Sequence, residues 1–110
     1  MIRSILVLSI TLCLSVPATA QDGDAQPGAK RQSELIYLLR QDCGACHGMR
    51  LRGGLGPALN AERFKEWSVD RLTQTILYGR PGTPMPPWRP FLSDSDARWL
   101  AGQLKQGLQQ

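Results

Sequence analysis

The 110-residue sequence has few of the residue types that most metal and redox sites require: one histidine, three cysteines and only 6% aromatic residues. No alternation of apolar and polar residues indicates a β-strand, and no internal repeat is present. Lysine and arginine are scattered rather than grouped, so the net charge of +4 does not indicate a nucleic-acid partner. These absences favour a small all-α domain with three to five helices.

A long apolar run occurs at the N-terminus, over Ile5–Val16. Arg3 precedes this run and an Ala-Thr-Ala pattern follows it, so the sequence predicts a cleaved secretory signal peptide over residues 1–20. The run is too short for a stable membrane anchor. Cleavage leaves 12 Lys+Arg against 9 Asp+Glu, or +3, and retains only Cys43 and Cys46 of the three cysteines.

The mature chain divides into a polar leader and one small domain. Residues 21–32 are rich in Gly, Pro and Ala and lack an apolar period, which predicts a flexible leader. We place the folded domain at residues 33–110. A domain of this size has a marginal hydrophobic core unless something else contributes to it.

Helical patterns alternate with long loops in this domain. A Gly-rich loop is predicted over residues 48–57, and a stiff loop over residues 81–90, which hold five of the eight prolines. Loops this extensive suggest that they enclose something other than protein. Four helices are predicted. The first is capped by Ser33 and has Leu35, Leu38 and Leu39 on one face, the second is a short helix over 61–67, and the third extends from Ser68 to Gly79. The fourth is capped by Ser93, and the apolar residues on its one face are Ala97, Leu100, Ala101, Leu104 and Leu108.

The segment DCGACHG contains two cysteines, Cys43 and Cys46, followed at once by His47. A dithiol redox centre needs this spacing at a helix N-terminus, usually beside strands, and a structural zinc site needs four ligands. Covalent haem needs two thiols for thioether bonds and a following histidine as an axial iron ligand. Since the mature chain offers no further Cys or His, covalent haem fits best, and a lone disulfide is the plainer alternative.

A second axial ligand should come from another loop, and without a further histidine the candidates are a methionine, a lysine or an open position. Met1 lies in the signal peptide, and Met49 is too close to His47 in sequence to reach the opposite haem face. Met85, in the proline-rich loop, is therefore predicted as the second iron ligand. A thioether ligand favours Fe(II) and so raises the reduction potential.

Five motifs follow one another along the domain: Cys43-Gly44-Ala45-Cys46-His47, Gly56-Pro57-Ala58-Leu59, Ile76-Leu77-Tyr78-Gly79, Met85-Pro86 and Leu92-Ser93-Asp94. Their order resembles that of the class I cytochromes c. This resemblance implies one covalently bound haem c, wrapped by helices and loops, and a hydrogen bond from His47 Nδ1 to the carbonyl of Pro57. One departure lies in the first helix, which lacks the family's usual glycine; we hypothesise that Gly102, with Trp99, allows the first and last helices to approach.

Two longer strings, LRQDCGACHGMRLRGGLGPAL and GRPGTPMPPW, resemble the small periplasmic cytochromes c of the NirC type that accompany cytochrome cd nitrite reductase. The resemblance implies a periplasmic one-electron carrier, not an enzyme. It would receive electrons from periplasmic or membrane donors and pass them to the nitrite reductase in denitrification. The alternative is an accessory protein in the maturation or insertion of d-type haem. A gas sensor in which Met85 dissociates is a further alternative that we rank below both.

Four loop arginines and four aromatic residues each allow more than one interpretation. The arginines fit ordinary solvated charges, which we favour, or a rim that steers a partner. The aromatic residues are predicted to form core or haem-pocket walls, and two of them, Tyr78 and Trp88, could bind a haem propionate. The arginines concerned are Arg50, Arg52, Arg80 and Arg89, and the aromatic residues are Trp67, Tyr78, Trp88 and Trp99.

Overall fold

The computed structural model describes residues 25–108. These residues form helices and loops with no strand, which confirms the predicted all-α fold. The predicted signal peptide lies outside the described residues, and no helix within them is long and apolar enough to cross a membrane. The elements are α1 (Ala29–Leu38), a π-helical turn (Leu39–Cys43), α2 (Gly44–His47), α3 (Val69–Tyr78) and α4 (Asp94–Gln106).

Helix α1 begins at Ala29, four residues before the predicted start at Ser33. Residues 29–32, assigned from sequence to the leader, are therefore helical. They read Ala-Lys-Arg-Gln, all good helix formers, and Arg31 among them is held by the Asp96 carboxylate of α4 at 2.9 Å. Ser33 does not cap the helix; its hydroxyl donates to the carbonyl of Ala29 one turn earlier. The cap position is occupied by Gly28.

The first helical segment changes its winding just before the cysteine cluster. The N–H of Gly44 donates to the carbonyl of Leu39, five residues back, so the chain makes one π-helical turn between α1 and α2. Such turns often occur at functional sites. This one carries Cys43, and α2 carries Cys46 and His47, so all three residues lie on a continuous helical segment.

Residues 61–67 do not form the predicted short helix; they form a series of turns. The N–H of Phe64 donates to Asn60, four residues back, whereas that of Trp67 donates to Phe64, three residues back. The carbonyls of Phe64 and Trp67 also accept hydrogen bonds from the Lys105 ammonium of α4. A helix this short gains little stability from cooperative hydrogen bonding. The Lys105 ammonium instead provides donors for carbonyls of the segment.

Helices α3 and α4 begin where the sequence predicts. The hydroxyl of Ser68 accepts the N–H of Arg71 at 3.1 Å, and Ser93 forms a reciprocal capping box with Asp96. Helix α3 ends before Gly79, whose φ of +66° suits glycine.

The core lies where α1, α3 and α4 meet. Its fully buried large side chains are Leu35, Leu39, Leu77 and Leu100. The hypothesis about Gly102 is wrong: a Cβ added there would meet no atom within 4 Å, so the glycine does not lie at a close helix crossing. The small residues of α4 that are fully buried are instead Ala97 and Ala101, which lie one turn apart on its inner face.

Candidate functional site

A cavity of about 420 Å³ lies between the cysteine-bearing segment, the two long loops and the inner faces of α3 and α4. The sequence-predicted Cys43, Cys46, His47, Pro57 and Met85 all line it. Most of the other lining residues are apolar. The structure therefore brings together His47 of α2 and Met85 of the proline-rich loop, which are 38 positions apart in the sequence. The apolar residues contributed by the helices and the 61–67 segment are Leu39, Phe64, Trp67, Leu72, Ile76, Leu100 and Leu104.

His47 is fixed by the hydrogen bond that the resemblance implied. Its Nδ1 lies 2.7 Å from the carbonyl oxygen of Pro57. A carbonyl can only accept, so this bond places the proton on Nδ1 and leaves the Nε2 lone pair available to a metal. A bond of this kind orients the ring and strengthens it as a ligand.

The loop after His47 folds back on the end of α2. The N–H of Gly53 donates to the carbonyl of His47, and that of Gly56 donates to the carbonyl of Cys46, both at 2.8 Å. A Cβ added at Gly56 would lie 2.7 Å from the imidazole ring. Glycine is therefore required here for the loop to reach the ring and present Pro57.

Met85 is held by contacts within the proline-rich loop and with the end of α3. The N–H of Arg80 donates to the carbonyl of Met85 at 3.2 Å, and the N–H of Met85 donates to the hydroxyl of Thr83 at 3.3 Å. A Cβ added at Gly79 would lie 2.6 Å from the Met85 carbonyl oxygen. The thioether is thus carried on a backbone with little freedom to move.

The second half of the same loop caps α3. The N–H groups of Trp88 and Arg89 donate to the carbonyls of Ile76 and Leu77, at 3.2 and 3.1 Å. These carbonyls lie in the last turn of the helix, where they have no helical donor. Because hydrogen bonds hold the loop on both sides of Met85, the end of α3 determines the position of this residue.

The two thiols border the cavity and are not joined in a disulfide. Cys43 is half-buried and Cys46 is exposed. Burial, with a further contribution from the Asp42 carboxylate, raises the pKa of the Cys43 thiol to about 11. A dithiol redox centre needs the opposite shift, because the thiolate is its reactive form.

The residues around the cavity fit a covalently bound haem. The lining is mostly apolar, one imidazole nitrogen is available, a thioether comes from a separate loop, and two unpaired thiols lie beside the imidazole. Among residues 25–108, no group of three or more His, Cys, Asp or Glu side chains could hold a metal ion by itself. This donor set suits an iron whose equatorial ligands come from a porphyrin.

Comparison with known proteins agrees with this chemistry. A family model described as cytochrome c oxidase, cbb3-type, subunit III matches residues 31–102. The chain is 49% identical over 102 residues to cytochrome c55X of Pseudomonas aeruginosa, covering 93% of this chain and 83% of that protein. A solved structure that matches the chain is that of the c-type cytochrome NirC. The chain belongs to the NirC-type c-type cytochromes. It therefore carries one covalently attached haem c with its iron.

Solved structures support the same assignment of this NirC-type cytochrome. The c-type cytochrome NirC superposes with a TM-score of 0.71 at 54% identity, covering 73% of this chain and 94% of that chain. A second neighbour is the dihydro-haem d1 dehydrogenase NirN, with a TM-score of 0.62 at 36% identity. The similarity to NirN covers 68% of this chain but only 16% of the larger protein.

Only some of the four aromatic residues singled out from the sequence line the large cavity. Trp67 and Trp88 line the cavity as predicted. Trp99 packs partly against the core but lines a different, smaller cavity on the outer side of α4. Tyr78 is wrongly predicted as a wall: it is 55% exposed and does not line the cavity. Phe64, which the sequence analysis did not single out, is a buried wall residue in edge contact with Trp67.

The four arginines of the predicted rim also differ from one another. Arg80 lines the cavity, whereas Arg89 forms an ion pair with Asp94 at 2.7 Å. Arg50 and Arg52 are exposed residues in the Gly-rich loop. A fifth arginine, Arg63, lines the cavity and was not predicted, because an isolated arginine in a polar stretch carries no sequence signal.

Proposed function

We propose that this protein is a periplasmic electron carrier whose haem is attached through Cys43 and Cys46 and ligated by His47 and Met85. One observation carries the proposal: an oriented imidazole from α2 and a thioether from the proline-rich loop line the same apolar cavity. The haem iron supplies one-electron chemistry by changing between Fe(II) and Fe(III). The predicted signal peptide supports export to the periplasm.

The residues have separate tasks in this proposal. The thiols anchor the cofactor, and Pro57 holds the His47 ring in the tautomer that leaves Nε2 available. The Met85 loop keeps the thioether in the cavity. If His47 and Met85 both ligated the haem iron, no coordination position would remain for a substrate, which supports a carrier rather than an enzyme or a gas sensor.

The partner that we propose is the dissimilatory nitrite reductase of the cytochrome cd type, with upstream periplasmic or membrane proteins as electron donors. The assignment to the NirC-type cytochromes supports this partner. We propose that the carrier serves denitrification by passing single electrons to the reductase. Electron-transfer partners of this kind meet over small, transient interfaces.

Similarity to the dihydro-haem d1 dehydrogenase supports a second candidate. The chain is 37% identical over 100 residues to that protein from Pseudomonas aeruginosa, yet covers only 19% of it. A domain that works beside a dehydrogenase in one chain can also work as a separate protein. The alternative is therefore an accessory role in the maturation or insertion of d-type haem, in which this cytochrome accepts electrons.

Stopped-flow mixing tests the two functions. The reduced holoprotein is mixed with oxidised cytochrome cd nitrite reductase, and the oxidised holoprotein with the dehydrogenase and its dihydro-haem substrate, while haem absorbance is followed at several ionic strengths. Rapid, saturable oxidation by the reductase supports the donor function. If only the second mixture reacts, the accessory function replaces it, and if neither reacts, both proposals fail.

A further inference from the structure

Two arginines at the cavity have no task in the proposed electron transfer. Arg63 comes from the turns over residues 61–67, and Arg80 follows α3 directly. Both line a cavity whose other walls are mostly apolar, and both are exposed. Their guanidinium groups therefore belong to the mouth of the cavity, where it meets solvent.

Neither arginine takes part in the ion pairs found within residues 25–108. This sets them apart from the arginines of α1, α4 and the segment before α4, which are neutralised by neighbouring carboxylates. A guanidinium beside apolar surface favours an anionic partner, because it is planar, permanently charged and presents several donors. The ion pairs in the described part of the chain join Arg31 with Glu34 and Asp96, Arg89 with Asp94, and Arg98 with Asp70.

The backbone of each arginine is held by a turn. The N–H of Arg63 donates to the Asn60 side chain at 2.9 Å. The N–H of Arg80 donates to the Met85 carbonyl, and its own carbonyl accepts the N–H of Thr83 at 3.0 Å. The Cα atom of each arginine is therefore held in place at the edge of the cavity, which lowers the entropy cost of binding an anion.

We propose that Arg63 and Arg80 bind the propionate carboxylates of the haem. The cofactor has two propionates, and these arginines are the lining residues with a fixed positive charge. Asp42 is the carboxylate of the lining and is next to Cys43 in sequence, so like-charge repulsion favours propionates directed away from that end. The proposal rests on the haem site proposed above.

This pairing has a consequence for the reduction potential. A guanidinium beside a propionate reduces the negative field at the iron. When the guanidinium is removed, the carboxylate charge stabilises Fe(III) relative to Fe(II), and the potential falls. Arg80 also lies in the turn that holds Met85, so its variants are checked for retained thioether ligation.

The test measures reduction potentials of the holoprotein and of the variants Arg63→Gln, Arg80→Gln and the double variant. Arg52→Gln is the matched control, since Arg52 is an exposed loop arginine outside the cavity lining. Two-dimensional proton NMR of the reduced wild type then looks for contacts between the two guanidinium groups and the propionate methylenes. Absorption spectra confirm covalent haem and unchanged axial ligands in each sample.

We expect each Gln variant to have a lower reduction potential than the control, with the lowest value for the double variant. The variants Arg63→Lys and Arg80→Lys keep the positive charge, so most of the decrease in potential should be recovered. NMR contacts from both arginines complete the expected result. Potentials equal to the control, or propionate contacts only to other residues such as Trp88, overturn the proposal. A wild type without covalent haem would instead refute the proposed haem site, and is seen in the spectra before any variant is compared.

Discussion

Gly56 lies so close to the imidazole of His47 that an added Cβ would stand 2.7 Å from the ring. Because Gly56 has no side chain, the loop can pass the edge of the ring, and the carbonyl of the next residue, Pro57, can accept the hydrogen bond from Nδ1. A single hydrogen atom in place of a side chain therefore decides how this histidine is held.

Gly56→Ala should destabilise the protein, because the methyl group forces the ring and the loop apart. We expect a loss of about 1–3 kcal/mol in the free energy of unfolding. Gly102→Ala is the matched control: it lies within α4 with open space around an added Cβ, so it should raise stability by about 0.5–1 kcal/mol. Guanidinium denaturation followed by circular dichroism measures both, and a Gly56→Ala variant as stable as the wild type would contradict the prediction.

Met85→Ala should open one axial position of the iron. The reduction potential should fall, and the reduced protein should bind carbon monoxide where the wild type does not, because the thioether no longer fills the position. Met49→Ala is the control, since Met49 is 59% exposed and does not line the cavity. Redox titration and ligand-binding spectra provide the measurement. Unchanged values for Met85→Ala would remove this residue from the proposed ligand set.

Lys105→Met should loosen the wall formed by Phe64 and Trp67. The ammonium donates to the carbonyls of both residues and of Lys65. Its loss removes the Lys105 donor from all three carbonyls, of which that of Phe64 still accepts the N–H of Trp67. We expect about 1–3 kcal/mol of lost stability, with faster amide hydrogen exchange in residues 61–67. Lys30→Met, an exposed lysine at the start of α1, should change neither quantity. Equal behaviour of the two variants would argue against the role of Lys105.

The ion pair between Arg31 and Asp96 should make stability depend on acid pH. Burial raises the pKa of Asp96, but hydrogen bonds from Arg31 and Ser93 outweigh it, so the folded pKa lies below the ordinary value. The pair therefore stabilises the fold fully above the unfolded value of about 3.9, and this contribution disappears as the pH falls through the folded value. Asp96→Asn should cost about 1–3 kcal/mol at pH 7.

The difference between wild type and Asp96→Asn should shrink below about pH 4, which denaturant titrations at several pH values can follow. Glu34→Gln serves as the control, because Glu34 contacts the same arginine at an exposed position. Its effect should be below about 1 kcal/mol. A difference that stays constant down to low pH would show that the carboxylate charge is not what stabilises the contact.

Local sequence signals located most of the elements correctly. Ser68 and Ser93 each place a side-chain acceptor three residues before a free N–H, and Gly79 supplies the positive φ that ends α3. These are interactions between near neighbours, so they do not depend on the rest of the fold. The start of α1 was missed because it depends on Asp96, a residue sixty-five positions away.

The sequence by itself determined the N-terminal caps of α3 and α4, the spacing of Cys43, Cys46 and His47, and the availability of Met85, since each depends on residue type and short separation. Only the tertiary structure decided which residues meet at the cavity. Residues 61–67 form turns that hydrogen-bond to Lys105, in place of the helix predicted from the sequence. In α4, Gly102 has open space around it, whereas Ala97 and Ala101 are buried. Arg63 and Arg80 reach one cavity from separate segments. Such contacts arise from the packing of distant segments, and no local pattern encodes them.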